Sequence, residues 1–257
     1  MKRYILLLAV LASGTAHAWG WNDCGYEKNI ETTLNLDGSE QLSVLAGAGD
    51  LSIKGHSGTS EARISGRVCS SDEEWLNKAD LVAEGGREAE IAVNLPEVSG
   101  WSLAGKHYIY MDLEIDVPDT VTLDVRDSSG DMTIAKTGPI SIADSSGDID
   151  LEDIRGGVTL EDSSGEIGLK GIEGDVLVRQ DSSGDIYGRD IEGGVRVERD
   201  SSGDIRFRDI SGDFTVERDS SGDITADGVG GDFRVLRDGS GEIHSSDVTG
   251  EVDVPSD

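Results

Sequence analysis

The sequence predicts an all-β fold: a parallel β-solenoid with about 19 residues and two short strands per rung, behind an irregular N-terminal cap region. Three observations carry this. The hexapeptide Asp-Ser-Ser-Gly-Asp-Ile stands at 181–186, 200–205 and 219–224, and looser copies begin at Asp127, Asp144, Asp162 and Asp238. The leading aspartates are spaced by 17, by 18 and then four times by 19 residues. Between these corners apolar and polar residues alternate in short runs bounded by Gly and Asp, which is a strand signal. One such unit cannot bury a face, but stacked units can.

Taken in order, the chain opens with Met1-Lys2-Arg3, an apolar run from Tyr4 to Leu11, and the small-residue ending Ala16-His17-Ala18. This is a secretory signal peptide over 1–18, cut after Ala18. Its apolar run falls well short of the roughly 20 residues a spanning helix needs. No cysteine stands at the cleavage site to take a lipid.

A strand-rich cap region is expected over 19–112, with strands at 30–36, 41–45 and 51–54. Gly49-Asp50-Leu51-Ser52-Ile53 already echoes the later corner. Ser71-Asp72-Glu73-Glu74 has capping-box spacing and predicts a short helix over 72–78. A hairpin is expected from 81–84 and 90–95 about the Gly85-Gly86 turn. Trp75 and Trp101 are expected to cover the first rungs, because a solenoid end needs a cap.

The regular repeats fill 113–257, in one continuous domain with the region before them. The strand after each corner contributes the inward pairs Met132/Ile134, Ile149/Leu151, Ile167/Leu169, Ile186/Gly188, Ile205/Phe207, Ile224/Ala226 and Ile243/Ser245. The second strand contributes Ile140/Ile142, Val158/Leu160, Val176/Val178, Val195/Val197, Phe214/Val216, Phe233/Val235 and Val252/Val254. Seven rungs at about 4.8 Å predict a core about 34 Å long. Pro255 cannot extend a strand ladder, so the last unit ends there.

Loss of residues 1–18 removes Lys2 and Arg3 and no acid, leaving 20 basic against 52 acidic side chains. Such a chain is repelled by nucleic acid and by anionic membrane surfaces, where binding depends on Lys and Arg. No membrane insertion is expected after cleavage. The two cysteines, Cys24 and Cys69, read as one disulfide in an exported protein. It stabilises by up to about 4 kcal/mol on a chain-entropy model.

The signal peptide, the irregular N-terminal strands and the repeated S-S-G-D-I … G-G-V-x-V units resemble the bacterial β-strand-repeat, adhesin-like family, a domain of unknown function. The resemblance covers roughly residues 30–257. It implies a β-strand-repeat fold and a role at the cell surface, and it carries over no catalytic residue.

The corners are where chemistry is first sought. Asp, Ser and Gly are turn residues, so the repeated hexapeptide reads chiefly as a scaffold corner. Stacking puts the leading aspartates in one column, and Asp131, Asp148, Glu166, Asp185, Asp204, Asp223 and Glu242 in another. Like charges about 4.8 Å apart repel by roughly 0.9 kcal/mol even in bulk water. Arg126, Arg199, Arg218 and Arg237, each just before a leading aspartate, are one expected offset. A divalent cation such as Ca2+ is the other, on a candidate ladder of Asp181, Asp185, Asp200, Asp204, Asp219 and Asp223. The corner nevertheless matches neither the calcium β-roll nonapeptide nor the EF-hand loop.

Catalysis is not expected. The mature-chain histidines His56, His107 and His244 neither recur nor lie near a cysteine, and no histidine base recurs beside the corner serines. Carboxylate pairs are everywhere, so none marks a glycosidase. Outward positions vary down each column: Asp150, Gly168, Tyr187, Arg206, Thr225 and His244 on the first strand, Thr159, Leu177, Arg196, Thr215, Arg234 and Asp253 on the second. That variety speaks against a periodic ligand face on the sheets.

The expectation is therefore an exported, noncatalytic interaction module of the periplasm or cell surface, an adhesin whose partner is a protein or glycan of the envelope. A cation-binding scaffold is the alternative, and a polysaccharide-acting enzyme ranks behind it.

Overall fold

The computed structural model describes residues 24–97 and 107–255; the expected signal peptide and Trp101 lie outside the described residues. Eight elements precede the regular rungs: β1 (Tyr26–Asn35), β2 (Gln41–Ala48), β3 (Leu51–His56), β4 (Glu61–Ser70), α1 (Glu73–Lys78), β5 (Asp80–Glu84), β6 (Glu88–Asn94) and β7 (Ile109–Pro118). Strands then alternate between two faces. One set is β8 (Thr122–Ser129), β10 (Ile140–Ala143), β12 (Val158–Glu161), β14 (Val176–Gln180), β16 (Val195–Val197), β18 (Phe214–Val216), β20 (Phe233–Val235) and β22 (Val252–Asp253). The other is β9 (Met132–Ala135), β11 (Ile149–Ile154), β13 (Ile167–Ile172), β15 (Ile186–Ile191), β17 (Ile205–Ile210), β19 (Ile224–Val229) and β21 (Ile243–Val248).

These strands form two 11-stranded sheets. One runs β1-β4-β7-β3-β9 and then through the odd-numbered strands to β21; the other runs β5-β6-β2-β8 and then through the even-numbered strands to β22. The rungs pair in parallel, with Met132, Ile149, Ile167, Ile186, Ile205, Ile224 and Ile243 in one register column. The predicted inward pairs are buried from Met132 through Val235. Ile205, Ile210, Phe214 and Val216 of a single rung are all buried, and each contributes about 1.5–3 kcal/mol by leaving water. At the last described rung Ile243 and Val248 are half-buried and Val252 is exposed.

The N-terminal third differs from expectation in its wiring. β2 and β3 are themselves a rung, laid between β6 and β8 in one sheet and between β7 and β9 in the other. The stack therefore extends beyond seven rungs, and 11 strands at about 4.8 Å span about 48 Å rather than 34 Å. The antiparallel pairs are confined to this end: β1 with β4, β4 with β7, and β5 with β6. In one sheet only β4 runs against the rungs, the edge strand β1 running with them again, and in the other the edge strand β5 runs against them.

The predicted helix forms as α1, but its cap is Asp72, whose carboxylate accepts from the N–H groups of Glu74 and Trp75. Ser71 instead exchanges hydrogen bonds with the backbone of Tyr108. Trp75 is half-buried against the core and meets His107 edge-on, with ring centroids 5.3 Å apart. Cys24 and Cys69 form a disulfide with S–S 2.06 Å and Cα–Cα 5.6 Å, tying the start of β1 to the end of β4.

Candidate functional site

Each residue of the repeated corner has its own task. The N–H of Gly203 donates to the carbonyl of Ser221 in the next rung, and the Ser202 hydroxyl donates to the carbonyl of Ser182 in the rung before, at 3.2 Å. The same hydroxyl bond recurs from Ser146, Ser164, Ser183, Ser221 and Ser240. Gly203 has φ 129°, and a Cβ there would lie 2.5 Å from the carbonyl carbon of Gly184. Only glycine lets the corners approach this closely. The close approach begins at Gly49, whose absent Cβ faces Met111, so the echo at 49–53 is a true corner.

The two acid columns are four residues apart in sequence and opposite in environment. In the second column the aspartates each hold the backbone of the next rung, the series breaking only at Glu166 among the described residues. Oδ1 of Asp185 accepts the N–H of Asp204, Asp204 that of Asp223, and Asp223 that of Glu242, at 2.7–2.9 Å. The series extends upward through Asp148, Asp131 and Asp50 to Asp112. These side chains are partly exposed, and Arg206 pairs with both Asp185 and Asp204.

The leading column points inward. Asp162, Asp181, Asp200 and Asp219 are at most 2% exposed. Oδ1 of Asp181 and of Asp219 accepts the N–H of the second serine of its own corner, at 3.2 Å. Burial pushes the carboxyls of Asp127 and Asp200 up to about 7 and those of Asp162, Asp181 and Asp219 up to about 6, partly opposed by the serine N–H groups. For Asp200 the adjacent Asp181 and Asp219 add to the rise.

The arginine offset expected for this column is not what the structure contains. Arg126 pairs with Asp124, and Arg199 donates to the Gln180 side chain at 3.1 Å. Among the described residues no ion pair reaches a leading aspartate from Arg218 or Arg237 either. The reason is direction: the arginine before each inward aspartate faces solvent, as strand alternation requires. The candidate cation ladder is split by the same geometry, with Asp181, Asp200 and Asp219 buried and Asp185, Asp204 and Asp223 at the surface. Among the described residues no three His, Cys, Asp or Glu side chains converge as a metal-holding group.

The histidines stay apart. His56 meets Asp116 at 2.7 Å, His244 meets Glu242 at 3.0 Å, and His107 lies on Trp75.

A second corner was not anticipated as a surface feature. Lys136, Asp153, Asp190, Asp209 and Asp247 there have left-handed backbones with φ of 51–61°, which Asp tolerates better than most residues. The recurring acid one residue before the closing apolar residue (Asp153-Ile154, Asp190-Ile191, Asp209-Ile210) was its sequence signal. Beside it runs an open groove of about 610 Å³, with Lys136 and Arg155 together with Glu173, Asp190, Glu192 and Asp209 on its walls. On the sheet face, Tyr187 lies over Gly168, its hydroxyl 2.8 Å from where a Cβ of Gly168 would stand.

The model of the Toastrack DUF4097 family matches residues 24–246. The chain belongs to this family. Solved structures similar to this Toastrack chain include a "putative adhesin" from Bacteroides fragilis NCTC 9343, 10% identical, covering 89% of this chain and 97% of that one, with a TM-score of 0.47. Another is a "putative lipid binding protein" from Parabacteroides distasonis ATCC 8503, 14% identical, covering 90% and 98%, TM-score 0.43. A third is a "putative cell adhesion protein" from Clostridium sporogenes ATCC 15579, 13% identical, covering 89% and 99%, TM-score 0.31. No curated protein matches the chain. Among the described residues no helix of this Toastrack chain is long and apolar enough to cross a membrane.

Proposed function

We propose that the protein is an exported, noncatalytic interaction module of the cell envelope, a stiff acidic rod that docks a protein or glycan partner. The observation that supports it is the outer carboxylate column. From Asp50 to Glu242 acids stand one per rung, and most are clamped by a backbone N–H of the next. Side chains fixed at this repeat lose little freedom when a partner with complementary cations binds, which lowers the ordering cost of association. The mixed charges of the groove at the second corner suit selective contact more than bulk charge attraction.

The test is binding of the labelled mature chain to intact cells and isolated envelopes of its source, across a salt series and against peptide and glycan arrays. Saturable, salt-weakened binding, with residues 1–18 missing from the exported protein, is the expected result. Retention in the cytoplasm with residues 1–18 intact, or turnover of an array glycan, would overturn the proposal.

A further inference from the structure

We propose that the leading aspartates form a proton ladder: the carboxyl groups of Asp127, Asp144, Asp162, Asp181, Asp200 and Asp219 hold shared protons inside the stack, so the rod is firm in acid and loosens as the medium turns alkaline. Four observations carry this. All six side chains are 6% exposed or less. In every one Oδ2 is buried without a hydrogen bond of good geometry, and in Asp127, Asp162 and Asp200 neither oxygen makes one, the serine N–H groups of their own corners acting on them only as nearby dipoles. The backbone fixes them one above another, with Asp144, Asp162, Asp181, Asp200 and Asp219 each donating their N–H to the next rung just before its leading aspartate. Among the described residues no ion pair reaches the column, and Arg126, Arg199, Arg218 and Arg237 lie exposed on the outer face.

Among the described residues the charged groups that act on the column are acids. Asp50 lies beside Asp127, Asp148 beside Asp162, and Asp204 and Asp238 beside Asp219. A buried, unpaired carboxylate is among the costliest groups a fold can hold. A protonated carboxyl carries its own donor and can satisfy an oxygen of the adjacent rung. A metal ion would need several oxygens to converge on it, whereas a proton needs one donor and one acceptor. The column then titrates as a unit rather than as six separate acids.

The raised pKa values agree with the geometry and fix the sign. A carboxyl whose pKa is higher folded than unfolded binds extra protons in the native state over the interval between the two. Its stabilisation is complete below about pH 4 and is lost as pH rises through about 6 to 7.

The test compares the mature wild-type chain with D200N and with the triple variant D181N/D200N/D219N, in low-salt buffer containing a chelator. Asparagine offers an acceptor and a donor without charge, as the protonated acid does. Infrared spectroscopy of the wild type should show a protonated-carboxyl band at about pH 5 that vanishes by about pH 8, with the melting temperature falling by several degrees over the same interval. The asparagine variants should lose most of that fall and melt above the wild type at about pH 8. The infrared reading needs no variant, so it stands even where the triple variant fails to fold. A missing band, a melting temperature flat with pH, or asparagine variants weaker than wild type at alkaline pH would each overturn the ladder. Added CaCl2 or NaCl raising the alkaline melting temperature of the wild type but not of D200N would replace it with a cation site.

Discussion

Gly203 stands directly against Gly184, so near that a methyl group on Gly203 would lie 2.5 Å from the Gly184 carbonyl carbon and closer still to its oxygen. Its φ of 129° is closed to L side chains as well. Gly203→Ala is therefore expected to cost at least about 3 kcal/mol, from backbone strain and steric clash together. Gly86→Ala, with ordinary φ and only a 3.7 Å neighbour, should stay within about 0.5 kcal/mol. Urea denaturation of the two variants checks the contrast.

Asp204 is held at both ends of its reach, accepting the N–H of Asp223 at 2.7 Å and pairing with Arg206. Asp204→Ala should cost about 1–2 kcal/mol, chiefly through the orphaned N–H of Asp223. Asp204→Asn keeps the acceptor oxygen and should recover most of the loss, since the exposed Arg206 pair is worth less than about 1 kcal/mol. Amide hydrogen exchange at Asp223 should speed up in the alanine variant and not in the asparagine variant.

Gly188 and Phe207 share one volume inside the stack. A Cβ on Gly188 would lie 2.5 Å from Cδ1 of Phe207, whose ring packs 5.2 Å from that of Phe214, which in turn meets Phe233 at 5.3 Å. Phe207→Ala should cost about 3–5 kcal/mol through the cavity it leaves, and Gly188→Val should be strongly destabilising by overpacking. Combined, they should cost less than their sum, with a coupling of about 0.5–3 kcal/mol. A double-mutant cycle by chemical denaturation reads it directly.

The disulfide ties the cap strands β1 and β4. Reduction, or Cys24→Ser with Cys69→Ser, should lower stability by about 2–4 kcal/mol. The loss should appear first as faster exchange in β1, while the central rungs keep their protection. Exchange measured with and without reductant distinguishes this from uniform weakening.

The repeating rungs were legible because three signals agree within every unit: a glycine corner, two-residue alternation and constant spacing. Ile205 and Val216 could be placed inward from sequence alone. β4 and β7 alternate as well, but no corner motif fixes their frame, and their antiparallel pairing rests on contacts distant in sequence. The positions of β2 between β6 and β8 and of β3 between β7 and β9 were hidden for the same reason. At the corner the sequence shows two acids in each copy and cannot separate their fates. Asp181 and Asp185 are the same residue type, and only the direction of the turn buries one and exposes the other.

Because Ile167, Ile186, Ile205 and Ile224 meet in unbroken register at 19-residue intervals, each unit is an interchangeable cassette. Excising 182–200 would join Asp181 to Ser201 without disturbing the reading of the corner, and would shorten the rod by one strand spacing of about 4.8 Å. Unequal recombination between such units can thus set the reach of the protein in steps, as marks are added to or removed from a ruler.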